Sequence, residues 1–225
     1  MRIISGERRG HKFAGPSDRH TRATSDRVRE SIFNILGTLV EDALIVDLCA
    51  GTGALGLEAL SRGGTRAIFV ERDRENAELI RANLATLRYE DRGVVIVGDV
   101  YTWADRIELP KDLPTVIFFD PPYDHYTRAW KKISRVLTML RDRVAVGSTL
   151  VLEMSKLSND RVLPDRDDWE LRRYGDTQIA LWIKPEEAST LEDLGPEPNH
   201  PLAQTEVLHD NTSEENDGAD HEPAG

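Results

Sequence analysis

The sequence predicts an α/β fold: a doubly wound, mostly parallel seven-stranded sheet with an N-terminal β-hairpin and helix in front of it. Three observations carry the prediction. Five apolar runs of strand length, LIVDLC, RAIFVE, VVIVGD, TVIFFD and STLVLEM, are separated by stretches of helical periodicity between residues 44 and 154. The runs lack the strict alternation of a half-exposed strand, as expected when helices cover both faces of a sheet. A glycine-rich stretch, AGTGALG, joins the first run to the helical pattern that follows it.

Taken in order, residues 2–4 and 11–13 read as two short strands around a turn at 6–10, which begins and ends with glycine. An amphipathic helix follows over about 25–39, with Ser25 as its N-cap and Val28, Ile32, Ile35, Leu36 and Leu39 on one face. The strand–helix alternation then places helices at 53–62, 74–87 and 127–140, with a short helical stretch near Trp103. Residues 169–174 and 178–183 read as two further strands, joined through Gly175 and Asp176 into an antiparallel pair that closes the sheet.

Charge divides the chain. The 225 residues hold 29 basic and 40 acidic side chains, a formal charge of −11. Residues 185–225 contain no Lys or Arg and 12 of the acids, so residues 1–184 carry 28 acids against 29 bases, a net of +1. The terminal stretch is rich in Glu, Asp, Pro, Asn and Ser, too poor in apolar side chains to offset the entropy of ordering, and reads as a disordered acidic tail. Residues 1–29 lean the other way. Arg2, Arg8, Arg9, Lys12, Arg19, Arg22, Arg27 and Arg29 stand against Glu7, Asp18 and Asp26, a composition suited to a polyanion. Cys49 is the single cysteine, which excludes an internal disulfide and fits a reducing cytoplasm. No apolar run reaches the ~18 residues of a membrane span.

Gly51, Gly53 and Gly56 match the G-x-G-x-x-G spacing, which alone signals a dinucleotide as readily as anything else. Glu71, 20 residues beyond Gly51 and at the end of the second strand, suits ribose hydroxyls in either case. Asp47 separates the two. A carboxylate there would repel a pyrophosphate at the helix N-terminus, whereas S-adenosylmethionine presents an ammonium and a sulfonium and no phosphate, so the acid favours the sulfonium cofactor. Asp99, closing the third strand, suits an adenine amino group. Cys49 reads as a small buried filler.

The fourth strand stops at FFDPPY. Pro121 and Pro122 cannot donate to a ladder, so the chain leaves the sheet there in one rigid shape. Asp120, the neighbouring carbonyls and Tyr123 are displayed at the strand's carboxyl edge, where open α/β sheets bind ligands. Two acceptors and a flat apolar face suit an exocyclic amino group on a planar ring. Its lone pair is delocalised, and acceptors gripping both N–H groups favour pyramidalisation and aim the lone pair at an incoming methyl. Tyr123 would stack on the base, which must be flipped or already unpaired. Tyr126 is open between a second aromatic at the mouth and a surface tyrosine.

The stretches MRIISGERRGHKF, TRATSDRVRESIFNIL, DLCAGTGALGLEALSRGG, FVERD, FFDPPY and YGDTQIALW resemble the bacterial 16S ribosomal RNA guanine-N2 methyltransferase family, from residue 1 to about 184. The resemblance implies a class I methyltransferase, Rossmann-like sheet, with S-adenosylmethionine held at Asp47, Gly51, Gly53, Glu71 and Asp99. It implies catalysis at Asp120, Pro121, Pro122 and Tyr123. An RNA-gripping extension over 1–40, using Arg8, Arg9, Lys12 and Arg22, would precede a methyltransferase domain over 41–184 and the acidic tail over 185–225. The family's Arg-Pro-Thr stands here as Arg22, Ala23, Thr24. The implied partner is small-subunit ribosomal RNA within an assembling 30S particle, with no metal and no membrane. An adenine-N6 nucleic-acid methyltransferase and a noncatalytic RNA-binding protein on the same fold are the alternatives. The first has little room for a sequence-reading domain, and intact acids at both sites speak against the second.

Overall fold

A computed structural model of the chain describes residues 1–16, 25–158 and 160–186. Arg19, the Arg22, Ala23, Thr24 stretch and nearly all of the acidic segment lie outside the described residues. The sheet is assembled from β1 (Leu44–Leu48), β2 (Arg66–Glu71), β3 (Gly93–Val97), β4 (Thr115–Phe119), β5 (Thr149–Ser155), β6 (Glu170–Tyr174) and β7 (Thr177–Ile183), in the order β3-β2-β1-β4-β5-β7-β6. Strands β1 to β5 are parallel and β7 runs antiparallel to both β5 and β6. Chain order reverses between β1 and β4, so the crevice above that pair is where a doubly wound sheet opens to a ligand.

The helices are α1 (Asp26–Leu36), α2 (Ala54–Ser61), α3 (Arg74–Leu87), α4 (Val100–Trp103), α5 (His125–Arg128) and α6 (Trp130–Arg143). Successive strand residues face opposite layers. Ile45, Phe69 and Phe118 pack under α1, α2 and α3, while Val46, Val70, Ile117 and Phe119 pack under α4 and α6 with Trp169 and Trp182. Both faces are therefore buried, which explains the continuous apolar runs. Each such side chain contributes about 1.5–3 kcal/mol by leaving water. No described helix is long and apolar enough to cross a membrane.

Three local departures have local causes. Helix α1 begins at the Ser25 cap, whose hydroxyl accepts the Val28 N–H, but it stops at Leu36 because Gly37 turns to φ 52 and residues 37–40 tighten into a 3-10 turn. The helix expected at 127–140 is two helices, interrupted at Ala129. The N-terminal hairpin has one ladder bridge, Arg2 to Lys12. Beside the bonds within the hairpin, such as Ile3 N–H to the His11 carbonyl at 3.0 Å, the Ile4 and Ser5 N–H groups donate to the buried Glu58 carboxylate of α2 at 2.8 and 3.0 Å. Arg29 completes this join. Fully buried, it donates to the Arg2 carbonyl at 2.7 Å and to Asp26 at 2.9 Å, beside Glu58, so it is structural and unavailable to a polyanion.

Candidate active site

A cleft of about 530 Å³ opens above the carboxyl ends of β1 to β5. It gathers Gly51, Glu71, Asp99, Asp120, Pro121, Pro122 and Tyr123, seven of the nine cofactor and catalytic residues the sequence singles out. The glycine loop is held from the neighbouring strand. The Glu71 carboxylate accepts the Gly51 N–H through Oε2 and the Asp73 N–H through Oε1, both at 2.8 Å, and so ties the loop after β1 to the turn after β2. Asp99 Oδ1 caps α4, accepting the Tyr101 N–H at 2.8 Å and the Thr102 N–H at 3.3 Å.

Asp47 and Gly53 are not in this cleft. Asp47 is paired in register with Phe69, two residues before Glu71 on the adjacent strand, and its Oδ2 accepts the Gly56 N–H at 2.9 Å inside the protein. The expectation that Asp47 meets a cofactor ammonium is therefore corrected: it lies beneath the cleft and occupies the N-terminal end of α2. Burial pushes its carboxyl up to about 8, against the lowering by the Gly56 N–H, with Glu71 adding to the rise. Gly53, at φ 78, is the left-handed N-cap of α2, and its Cα faces Ile80 and Phe69. Cys49 does line the cleft, at φ 63, with its thiol pKa raised by burial and by the surrounding carboxylates.

The DPPY turn continues the switch point. The Asp120 N–H reaches the Leu48 carbonyl of β1 at 3.4 Å, while the Pro122 carbonyl accepts the His125 N–H at 2.8 Å. Among the described residues no backbone N–H donates to the Pro121 carbonyl. Tyr126 is buried rather than at the mouth, and its hydroxyl donates to the Glu153 carbonyl at 2.5 Å. Sequence reasoning missed Tyr101, His125 and Glu153, all in the cleft. The Tyr101 hydroxyl and His125 Nδ1 are 2.9 Å apart. Glu153 follows Leu152, which pairs with Phe119, so it stands one step along β5 beside Asp120. The lone acid in STLVLEM was the available signal.

The N-terminal residues are placed differently. The Arg8 N–H donates to Ser61 Oγ at 3.0 Å, and its guanidinium lies 5.7 Å from the Tyr89 ring centre. Ser61 ends α2, so Arg8 and Arg9 sit a helix length from the glycine loop, about 12 Å by helical rise. Arg9 and Lys12 are exposed.

A family model described as conserved hypothetical protein 95 matches residues 1–183. The ribosomal RNA small subunit methyltransferase D of Haemophilus influenzae is 31% identical over 184 residues, covering 81% of this chain and 91% of that protein. That of Escherichia coli is 41% identical over 124 residues, 55% of this chain and 60% of that protein. The chain belongs to the ribosomal RNA small subunit methyltransferase D family. A solved Escherichia coli structure, yhhF, superposes at a TM-score of 0.67 with 30% identity, covering 83% of this chain and 99% of that one. An RNA methyltransferase from Salinibacter ruber, in complex with S-adenosyl-L-homocysteine, shares the fold at a TM-score of 0.55 and 18% identity, covering 78% of this chain and 100% of that one. The sheet order of this family member is the class I methyltransferase order, as the sequence predicts.

Proposed function

We propose that the chain transfers a methyl group from S-adenosylmethionine to the exocyclic N2 amino group of a guanine in small-subunit ribosomal RNA, on an assembling 30S particle in the cytoplasm. Membership of the family and the fold support the coarser statement, an S-adenosylmethionine-dependent methyltransferase of small-subunit ribosomal RNA; the base, the particle and the compartment go beyond it. The observation that carries the reading is the shared cleft, in which Asp120 to Tyr123 after β4 face the same cavity as Gly51, Glu71 and Asp99.

The residues present fit the cofactor. Carboxylates at Glu71 and Asp99 suit ribose hydroxyls and an adenine amino group, and the Gly51 backbone allows close approach. A pyrophosphate has no seat, because Asp47 already takes the Gly56 N–H at the start of α2. Bound there, S-adenosylmethionine supplies a methyl group on a positively charged sulfur. Asp120 and the Pro121 carbonyl then hold the two N–H groups of the acceptor amine and aim its lone pair, and Tyr123 stacks on the ring. Asp120 is the acceptor at hand for the departing proton.

Glu153 favours guanine over adenine. Guanine carries an N1–H donor beside its amino group, where adenine carries an N1 lone pair. A carboxylate next to Asp120 accepts the first and repels the second. The test is a tritiated-methyl assay on undermodified small-subunit particles followed by nucleoside analysis. Label in N2-methylguanosine is expected. Label in N6-methyladenosine would overturn the base assignment, and RNA binding with no label at all would favour the noncatalytic reading.

A further inference from the structure

Guanine offers three groups along the edge that enters the cleft: the N2 amine, the N1–H donor and the O6 acceptor. Asp120 and Glu153 answer the first two, and O6 calls for a donor. Phe118, Val151 and Ile179 face the layer of α1. Asp120, Glu153 and Thr177 stand two residues from them along β4, β5 and β7, so the alternation of a strand puts all three on that same face. Thr177 pairs with Ser155, two residues beyond Glu153, which brings it to the carboxyl edge of β5. All three line the cleft. Thr177 is 3% exposed, and its hydroxyl makes no hydrogen bond among the described residues.

We propose that the Thr177 hydroxyl donates to O6 of the target guanine, as the third contact on the edge whose amine Asp120 holds and whose N1–H Glu153 accepts. This rests on the guanine reading above. Strands β4, β5 and β7 are consecutive in the sheet, so the two carboxylates and the hydroxyl follow the order N2, N1, O6 along the ring. Two strand spacings, about 10 Å, separate the outer pair, a span suited to three adjacent ring positions with a hydrogen bond at either end. Other donors of the cleft lie off this line. Arg72 follows β2, which β1 separates from β4. His125 is bonded to Tyr101, which packs in the opposite layer with α4 and α6. The Ser25 hydroxyl already accepts the Val28 N–H as the cap of α1.

The experiment measures tritiated-methyl transfer by the full chain to undermodified small-subunit particles, for the parent, Thr177→Val, Thr177→Ala and Thr177→Ser, with the S-adenosylmethionine Kd taken by calorimetry. Valine keeps the shape and β-branching of threonine and has no donor. Thr177→Val should lower kcat/KM about five- to tenfold, the upper part of what one neutral hydrogen bond contributes, mostly as a rise in KM because O6 is held alike before and during transfer. The cofactor Kd should not move. Thr177→Ser keeps the donor and should stay within about threefold of the parent, whereas Thr177→Ala, which differs from serine by the hydroxyl alone, should lose as much as valine. A role in packing alone predicts the opposite ranking, since valine fills the site and serine leaves a methyl-sized gap. Parental kcat/KM in Thr177→Val, or a serine variant more impaired than the valine one, overturns the contact and leaves the guanine reading intact as long as the parent labels N2-methylguanosine. A parent that labels N6-methyladenosine, or nothing, overturns both.

Discussion

Asp47 Oδ2 accepts the Gly56 N–H at 2.9 Å, so the strand entering the glycine loop supplies the acceptor that caps the helix leaving it. Gly53 is the N-cap of α2, which makes Gly56 the third residue of its first turn, where an orphan N–H and the positive end of the helix dipole both call for an acceptor. The third glycine of the loop is thus needed by the protein itself. A Cβ built at Gly56 would lie 2.3 Å from the Phe69 ring and 3.2 Å from Asp47 Oδ2.

Gly56→Ala should therefore destabilise the protein by about 1–3 kcal/mol, the usual cost of forcing a methyl into a filled core. Chemical denaturation would show the midpoint falling with little change of slope. A variant as stable as the parent would mean that Phe69 yields readily.

The pH dependence of stability should change in Asp47→Asn. The folded carboxyl, near 8, lies above the ordinary 3.8 of an unfolded aspartate, so between these values the folded state binds the extra proton. Its contribution is complete below about 3.8 and is lost as pH rises through 8. Asparagine keeps an acceptor for the Gly56 N–H and does not titrate. The variant should gain on the parent by on the order of 4 kcal/mol between pH 5 and pH 8, about 1.4 kcal/mol per pH unit, measured by denaturation at a series of pH values.

Cofactor affinity should depend on Glu71 most of all. Glu71→Ala removes the acceptor proposed for ribose hydroxyls and frees the Gly51 and Asp73 N–H groups that it holds. The expected loss is ~1.5–3 kcal/mol per charged hydrogen bond, read as a rise in the calorimetric Kd for S-adenosylmethionine.

Turnover should separate from cofactor binding at Asp120. Asp120→Ala should abolish methyl transfer while leaving the Kd for S-adenosylmethionine within a few-fold of the parent. Near-normal turnover in that variant would sink the role given to the DPPY turn.

Base selection should respond at Glu153. Glu153→Gln keeps the size of the side chain and removes its charge, so kcat/KM should fall by roughly tenfold, the lower end of what a charged hydrogen bond contributes. Cofactor affinity is the control expected to stay constant.

What the sequence by itself determined is local. Apolar runs of strand length, helical periodicity, the Ser25 cap and the rigid break at Pro121 and Pro122 are set by neighbours along the chain, and the five parallel strands, the cap and the break stand in the fold where the sequence places them. The ends of β2, β3 and β4 were legible for the same reason, so Glu71, Asp99 and Asp120 do meet in one cleft. Tertiary structure alone decided which acids face that cleft. Asp47 and Glu71 both read as acids near strand ends, yet the register pairs Asp47 with Phe69 and sets Glu71 two residues higher, above the floor on which a ligand would rest. The same holds for Glu153, brought beside Asp120 by the pairing of β5 with β4. It holds for Arg29 and Arg8 as well, drawn onto Glu58 and Ser61 by a hairpin that bonds to α2 as well as to itself. Register and packing are relations between residues far apart in sequence, and no local pattern of charge encodes which side of a carboxylate meets water.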